Sequence, residues 1–264
     1  MYSRGGIPIY HCKNKQHQYH VLGSNEVIKP FLPETKPYSK IALRTILFKY
    51  NEAMIKPTIG SSGSGIIKVR MSNNERYDVF FKDSQQSFSR LLSVHAYIKS
   101  QIKKYARKKS SSSFIIQQVI PLIEIDGDPV DIRVIVQRTK ENQWQVSGKY
   151  ARKARNQLFT TNLKQGGTAF NLKDALHFAY LPTREIQVLE KKIDDLSLTV
   201  VGHLSHIWKV EHVWGIDLGL DKKGHLWIIE ANIRPRFRGF KEVDRHTYEK
   251  IDALMTWHNN KHDD

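Results

Sequence analysis

The stretch GIDLGLDKKGHLWIIEANIRPRF, residues 215–237, reads as two strands, 216–220 and 226–231, joined by a turn at Asp221-Lys222-Lys223-Gly224. Glu230 and Asn232 are two residues apart on a strand and so share a face. A four-residue turn pairs Asp217 with Ile228, on that same face and diagonal to Glu230; a three- or five-residue loop breaks the relation. Two carboxylates and an amide carbonyl are hard oxygen donors, suited to Mg²⁺ that also holds nucleotide phosphates. The surrounding strand (Leu226, Trp227, Ile228, Ile229) is apolar, and a buried carboxylate is costly there unless ion-paired or metal-bound. Arg234 and Arg236 offer the ion-pair alternative, and both readings stand.

Outward from this hairpin the chain alternates between short strands and a few helices. Residues 130–137 alternate as a strand after the turn Asp126-Gly127-Asp128-Pro129, and 144–150 follow as another. Residues 114–119 form an apolar strand, with further strand pieces at 53–55, 66–70 and 77–82. Helical spacing appears at 39–51, with Ser39 as N-cap, and in the series Phe88, Leu91, Leu92, His95, Ile98, Ile102 and Tyr105. It recurs in Ile186, Leu189, Ile193, Leu196, Val200, Leu204 and Ile207, where Thr183 is the expected cap, and in a last helix over 243–257. Residues 1–38, broken by four prolines, read as an irregular arm with β-like pieces such as 19–22. The expected class is α+β with antiparallel hairpins, not the regular βαβ alternation of a doubly wound sheet.

Two other segments carry chemical potential. Lys56-Pro57-Thr58-Ile59-Gly60 runs into Ser61, Ser62, Gly63, Ser64 and Gly65, which let backbone approach a phosphate closely with donors turned inward. Lys56, on the preceding strand, is within reach of an α- or β-phosphate. The loop is neither a Walker A motif nor a GxGxxG fingerprint, and taken alone it is better explained as a flexible surface hairpin. The basic run Lys149, Arg152, Lys153, Arg155 closes on Asn162 and the pair Gly166-Gly167. A solvated loop explains the run but not the Asn and glycines.

Composition limits what these segments can belong to. The 264 residues contain 40% hydrophobic and 10% aromatic side chains, too many for a disordered chain. Cys12 is the single cysteine, so no internal disulfide forms. No apolar run approaches the roughly 20 residues of a spanning helix, and the opening residues lack an apolar signal region; a cytoplasmic address is expected. The 42 Lys plus Arg against 26 Asp plus Glu give a formal +16, which favours an anionic partner.

Six segments in order, FLPETKPYS, IKPTIGSSGSGI, FIIQQVIPL, DIRVIVQR, ARKARNQLFTTNLKQGG and GIDLGLDKKGHLWIIEANIRPRF, resemble the ATP-grasp enzymes over roughly residues 31–240. The first two are most similar to the YheC/YheD branch, endospore coat-associated proteins of bacilli. The resemblance implies two α+β lobes with antiparallel sheets clamping ATP: a small lobe at 39–116 and a large lobe at 117–264, after an arm at 1–38 and without the usual full N-terminal Rossmann-like domain. It implies ATP contacts from Lys56, Ser61, Ser62, Gly63, Ser64 and Gly65, and adenine contacts through the backbone at Gln117, Gln118 and Ile120. Asp217, Glu230 and Asn232 match Mg²⁺ ligands for two ions, with a gap one residue longer than in ligase relatives. Arg133 and Arg152 match positions that steady phosphates or an acyl-phosphate.

The implied chemistry is carboxylate activation by the γ-phosphate followed by attack of an amine or thiol, which rests on positioning and charge neutralisation. Lys153, Asn162, Gly166, Gly167, Arg234 and Arg236 are the substrate-side candidates, and the three arginines 234, 236 and 238 suit an anionic small-molecule or peptide substrate. Ile233-Arg234 replaces the usual small residue before Pro235. A nucleotide-binding coat protein without ligase activity is the alternative. Nucleic acid is disfavoured as a partner, since Tyr97 and Tyr105 beside residues 103–109 are too few for a stacking platform. His11, Cys12, His17 and His20 have only crude zinc spacing. Trp208, Trp214 and Trp227 are expected in the core, and His203, His206 and His212 on surfaces.

Overall fold

The computed structural model describes residues 12–60, 63–72, 76–82, 84–109, 113–155, 161, 163–179, 181–208 and 212–260. It contains two compact units. One comprises Lys13–Tyr19 and Pro33–Ile120; the other includes His20–Leu32 and Pro121–Asp264. Each is a mixed α+β body with its own antiparallel sheet.

In the first unit the strands are β1 (Thr35–Pro37), β2 (Glu52–Pro57), β3 (Ile67–Met71), β4 (Tyr77–Phe81), β5 (Ser84–Phe88) and β6 (Phe114–Gln118), ordered β1-β6-β2-β3-β4-β5. β2 alternates as a half-covered strand should: Ala53, Ile55 and Pro57 are buried, whereas Glu52, Met54 and Lys56 are half-buried on the opposite face. Its helices are α2 (Lys40–Tyr50) and α3 (Leu91–Lys109), while α1 (Lys15–Gly23) starts in the segment Lys13–Tyr19 and ends in the segment His20–Leu32 of the other unit. α2 starts where Ser39 accepts the Ala42 N–H and stops where Asn51 turns left-handed, φ 58°. Ala42, Leu43, Ile46 and Leu47 of α2 and Val94 and Ile98 of α3 close over Ile55, Ile67, Val69 and Ile116.

The segment 19–22, expected as β-like, lies inside helix α1. Lys15, Gln18, Val21 and Leu22 are its buried positions, and two polar members of that stripe hide the helical period from a hydrophobicity reading. Phe88 likewise ends strand β5 instead of starting the following helix.

Glu34, just before β1, accepts Lys49 Nζ at 2.7 Å and Tyr50 Oη at 2.9 Å, with Lys36 Nζ 2.9 Å away. The Lys49 bond first, then Lys36, hold its carboxyl down at about 2 against the opposing effect of burial. The folded-state value is depressed, so this stabilisation is complete above the unfolded value of about 4.3 and is lost as pH falls from there through about 2. Urea midpoints measured across that window should fall for the native chain, and Glu34→Gln should lose part of that decline while starting from a lower midpoint at neutral pH.

The second unit carries β7 (Glu124–Ile125), β8 (Asp128–Arg138), β9 (Trp144–Lys153), β10 (Thr168–Asn171), β11 (Val213–Leu220) and β12 (Leu226–Asn232), in the order β10-β9-β8-β11-β12 with β7 beside β8. Its helices are α4 (Leu172–Phe178), α5 (Thr183–Ile207), α6 (Phe240–Val243) and α7 (Arg245–Asn260). α5 presents the expected stripe from Ile186 to Leu204 to one face of the sheet, against Ile132, Val134, Ile216, Leu218 and Ile228. Pro182, not Thr183, occupies its N-cap position, and no side-chain cap is made there. α6 and α7 bring Phe240 and Ile251 against Ile135 and Tyr150. β8 and β11 are therefore buried along nearly their whole length, the polar positions Asp131, Arg133 and Asp217 included.

Trp208 and Trp214 are core residues with ring centroids 6.5 Å apart. Trp227 is not: it is half-buried, and its Nε1 donates to Asp221 Oδ2 at 2.9 Å. His212 is buried instead of exposed, because its ring stacks on His258 at 4.7 Å.

Candidate active site

The register of β11 and β12 places Asp217 directly opposite Glu230 and Gly215 opposite Asn232, while Leu218 faces Ile228. The expected Asp217–Ile228 pair is therefore corrected. Leu220 pairs with Leu226, leaving five residues in the turn, and one further residue bulges between Glu230 and Ile228. The outcome is a closer relation than the expected diagonal: Asp217 and Glu230 are cross-strand neighbours, with Asn232 two residues along on the same face. A Cβ on Gly215 would stand 2.4 Å from the Pro235 ring, so glycine there is what lets the chain after Asn232 fold back over the strand.

On the other side of β11, Asp217 is opposite Arg133 of β8, and Asp131 is opposite Arg152 of β9. Arg133 grips Asp217 with two bonds, Nε to Oδ1 at 2.5 Å and Nη2 to Oδ2 at 3.0 Å; its Nη1 donates to the Arg236 carbonyl at 3.0 Å. Arg152 donates twice to Asp131, at 2.7 and 2.6 Å, and lies 3.1 Å from Asp217 Oδ2. Thr161 adds a 2.5 Å bond to Asp131. All five residues are at most 9% exposed, and the two guanidiniums balance the two carboxylates. Burial alone would raise the Asp217 carboxyl, but the charges of Arg133 and Arg152 prevail and hold it below the ordinary range. Burial pushes Asp131 the other way, upward, against the pull of Arg152.

The ion pair expected between these carboxylates and Arg234 or Arg236 is thus made for Asp217 by Arg133 and Arg152. Arg234 and Arg236 are exposed, and Arg236 contributes its carbonyl. The donor set still fits a hard cation. Two carboxylates have about four lone-pair sites each, and the contacts at Asp217 occupy three of its four. Glu230 and Asn232 are half-buried, so Asp217 would add one oxygen, Glu230 a carboxylate and Asn232 its amide carbonyl. Among the described residues no three His, Cys, Asp or Glu side chains cluster as a metal site, which leaves zinc without support at Cys12, His17 and His20; His11 is outside the described residues.

The basic run divides by strand alternation. Arg152 points to the Asp217 face, whereas Lys149 bonds Asp194 of α5 at 2.7 Å and Lys153 bonds Asp126 at 2.7 Å. Lys153 is therefore not brought beside Arg152. Gly166 (φ 89°) lies against Arg155: a Cβ there would be 2.6 Å from its Cδ. Gly167 follows it before β10, and Asn162 is outside the described residues. Asp131 and Thr161 escaped the sequence reading, although Asp131 stands two residues before Arg133 and so had to share its face.

In the first unit Lys56 Nζ donates to Gln117 Oε1 at 2.6 Å, and Gln117 in turn bonds Thr35 Oγ1 at 2.8 Å. Gln118 is tied to Glu34 through both its N–H and its side chain; Ile120 follows, half-buried. The glycine–serine loop rises from a fixed base: Lys15 Nζ donates to the Gly60 carbonyl at 3.0 Å and Lys15 N–H to the Thr58 carbonyl at 2.8 Å. Gly63 and Gly65 have φ of 70° and 79°, and a Cβ at residue 65 would be 2.5 Å from the Tyr105 ring. Glycine at 65 is thus needed for packing as well as conformation. Ser64 is exposed; Ser61 and Ser62 are outside the described residues.

A sequence model described as "YheC/D like ATP-grasp" matches residues 9–256. The chain is 27% identical over 245 residues to the endospore coat-associated protein YheD of Bacillus subtilis (strain 168), covering 90% of this chain and 51% of that protein. It is 24% identical over 241 residues to YheC of the same organism, covering 90% and 63%. The chain therefore spans between half and two thirds of the length of these relatives. Among solved structures it is similar in fold to the ATP-grasp ligase PsnB complexed with a phosphomimetic precursor variant, Mg and ADP (TM-score 0.51, 15% identity, covering 93% of this chain and 58% of that one). It is also similar to the D-cycloserine synthetase DcsG (TM-score 0.55, 10% identity, 95% and 71%).

Proposed function

The chain belongs to the YheC/D-like ATP-grasp family, and from that premise we propose that it is a Mg²⁺-ATP-dependent ligase that joins a carboxylate to an amine through an acyl-phosphate. The observation that carries the reading is the cross-strand pair Asp217–Glu230, with Asn232 beside it and Arg133 and Arg152 behind it. Asp217, Glu230 and Asn232 would hold the metal, two ions on this reading. Mg²⁺ would supply neutralisation of phosphate charge there. Lys56 and the loop Ser61–Ser62–Gly63–Ser64–Gly65 hold phosphates, and backbone groups at Gln117, Gln118 and Ile120 flank the adenine.

Arg133 and Arg152 act first by fixing the carboxylates of Asp217 and Asp131. Their N–H groups not used in these bonds are the donors offered to developing phosphate charge. The substrate carboxylate attacks the γ-phosphorus, ADP leaves, and the amine displaces phosphate. Arg234, Arg236, Lys153, Asn162, Gly166 and Gly167 are assigned to the acceptor side, and the exposed arginines favour an anionic small molecule or peptide. The names of the two Bacillus relatives extend the proposal to an association with spore-coat components.

One observation favours a second reading. The carboxylates of Asp217 and Asp131 engage the guanidiniums that a ligase would offer to phosphate, as suits a protein that binds nucleotide without turning it over. ADP release measured with panels of amino acids and acidic peptides separates the two. Acceptor-dependent release supports ligation; nucleotide-induced thermal stabilisation without release supports the binder. In the ligase, Lys56→Ala should reduce turnover about a hundredfold, assayed well below the melting transition because loss of the bond to the buried Gln117 Oε1 should also cost about 1–3 kcal/mol of stability. Unchanged turnover in that variant would remove Lys56 from the site.

A further inference from the structure

The positive charge of this chain is not evenly shared. The unit built from Lys13–Tyr19 and Pro33–Ile120 holds 18 Lys and Arg against 5 Asp and Glu, so 13 of the 16 surplus charges fall there. Within it, neither α2 nor α3 contains an acidic residue. Lys40 and Arg44 of α2 and Lys99, Lys103, Lys104 and Arg107 of α3 are exposed, and among the described residues none of the six has a carboxylate partner. Lys49 is the exception, paired with Glu34. The two helices adjoin: Lys40 and Lys99, one from each, both act on His95.

Large apolar side chains stand among these bases. Ile41 is 79% exposed, Phe48 86% and Leu92 61%. Ile41 and Phe48 are seven residues apart and so lie within ~20° of one another around the helix. The buried residues Ala42, Leu43, Ile46 and Leu47 occupy the opposite side of α2. The apolar pair thus forms the crest of α2, farthest from its core, with Lys40 and Arg44 on one flank and Lys49 on the other. Leu92 lies on the exposed arc of α3 with Lys99 and Lys103.

A crest of large apolar groups flanked by exposed cations, most of them without a carboxylate partner among the described residues, matches the boundary between acyl chains and anionic headgroups. We propose that the outer face of α2 and α3 docks on an anionic lipid bilayer, with Ile41, Phe48 and Leu92 entering the headgroup–acyl boundary and the bases facing lipid phosphates. A second copy of this chain is a poor occupant, because a two-fold contact would set this basic face against itself. Duplex nucleic acid would use the cations but offers nothing to an aliphatic and phenyl crest at its phosphate surface. The docking is peripheral, since among the described residues no helix is long and apolar enough to cross a membrane.

The full chain should be sedimented with vesicles of phosphatidylcholine containing about a third phosphatidylglycerol, with pure phosphatidylcholine vesicles as the reference and duplex DNA as competitor. Salt-sensitive binding to the anionic vesicles is expected, with little binding to the neutral ones. The double variant Ile41→Ser/Phe48→Ser should weaken it about tenfold or more, and Leu92→Ser should weaken it independently, while melting temperatures stay at the native value because the three side chains are exposed. Absence of binding to anionic vesicles overturns the proposal. Binding that DNA displaces and that ignores all three apolar substitutions also overturns it, in favour of a polyelectrolyte surface.

Discussion

Asp217→Asn should destabilise the unit formed by β7–β12 by about 3–5 kcal/mol, a fall in melting temperature of roughly 6–20 °C. The substitution keeps shape and removes one charge. Arg133 and Arg152, 8% and 7% exposed, would then share a single carboxylate, Asp131, and carry an uncompensated positive charge in a place with little water. The amide also turns two donor hydrogens toward guanidinium groups that are themselves only donors. Thermal unfolding followed by circular dichroism checks this, and a melting temperature within about 2 °C of the native chain would show that the network is not held by its charge.

Glu230→Gln should separate chemistry from stability. Glu230 is half-buried on the last strand of its sheet, so the isosteric change should cost less than about 1 kcal/mol. It nevertheless removes one of the two carboxylates of the proposed metal site, directly opposite Asp217. Loss of one charged metal ligand should reduce ATP turnover by on the order of 10²–10³ or more. Turnover and melting temperature measured on the same preparation distinguish the two variants: the Asp217 change moves both, the Glu230 change moves turnover alone. Native turnover in Glu230→Gln would remove the metal role from this hairpin.

The fold class was legible because its strongest signals are local. Ser39 caps α2 as its position suggests, and α5 buries the stripe from Ile186 to Leu204 that its spacing announces. The face shared by Glu230 and Asn232 follows from strand geometry alone. Register did not follow, because it depends on one bulged residue and a five-residue turn, neither of which leaves a composition signal. The partners of Asp217 were hidden for a related reason. Arg234 and Arg236 are near in sequence, but Arg133 is 84 residues away and arrives only through the pairing of β8 with β11. Helix α1 was obscured by the buried polar residues Lys15 and Gln18, whose burial depends on tertiary contacts such as the bond from Lys15 to Gly60. The charge surplus is plain in the composition, whereas the exposure of the bases on α2 and α3 is set by how those helices pack on their sheet.

The most direct measurement is a calorimetric titration of ATP into the full chain with and without Mg²⁺, repeated on Glu230→Gln. One ATP per native chain is expected, bound at least about tenfold more tightly when Mg²⁺ is present, with that gain absent from the variant. Equal affinity with and without Mg²⁺, or a gain that survives in Glu230→Gln, would contradict a metal–nucleotide site built on Asp217, Glu230 and Asn232.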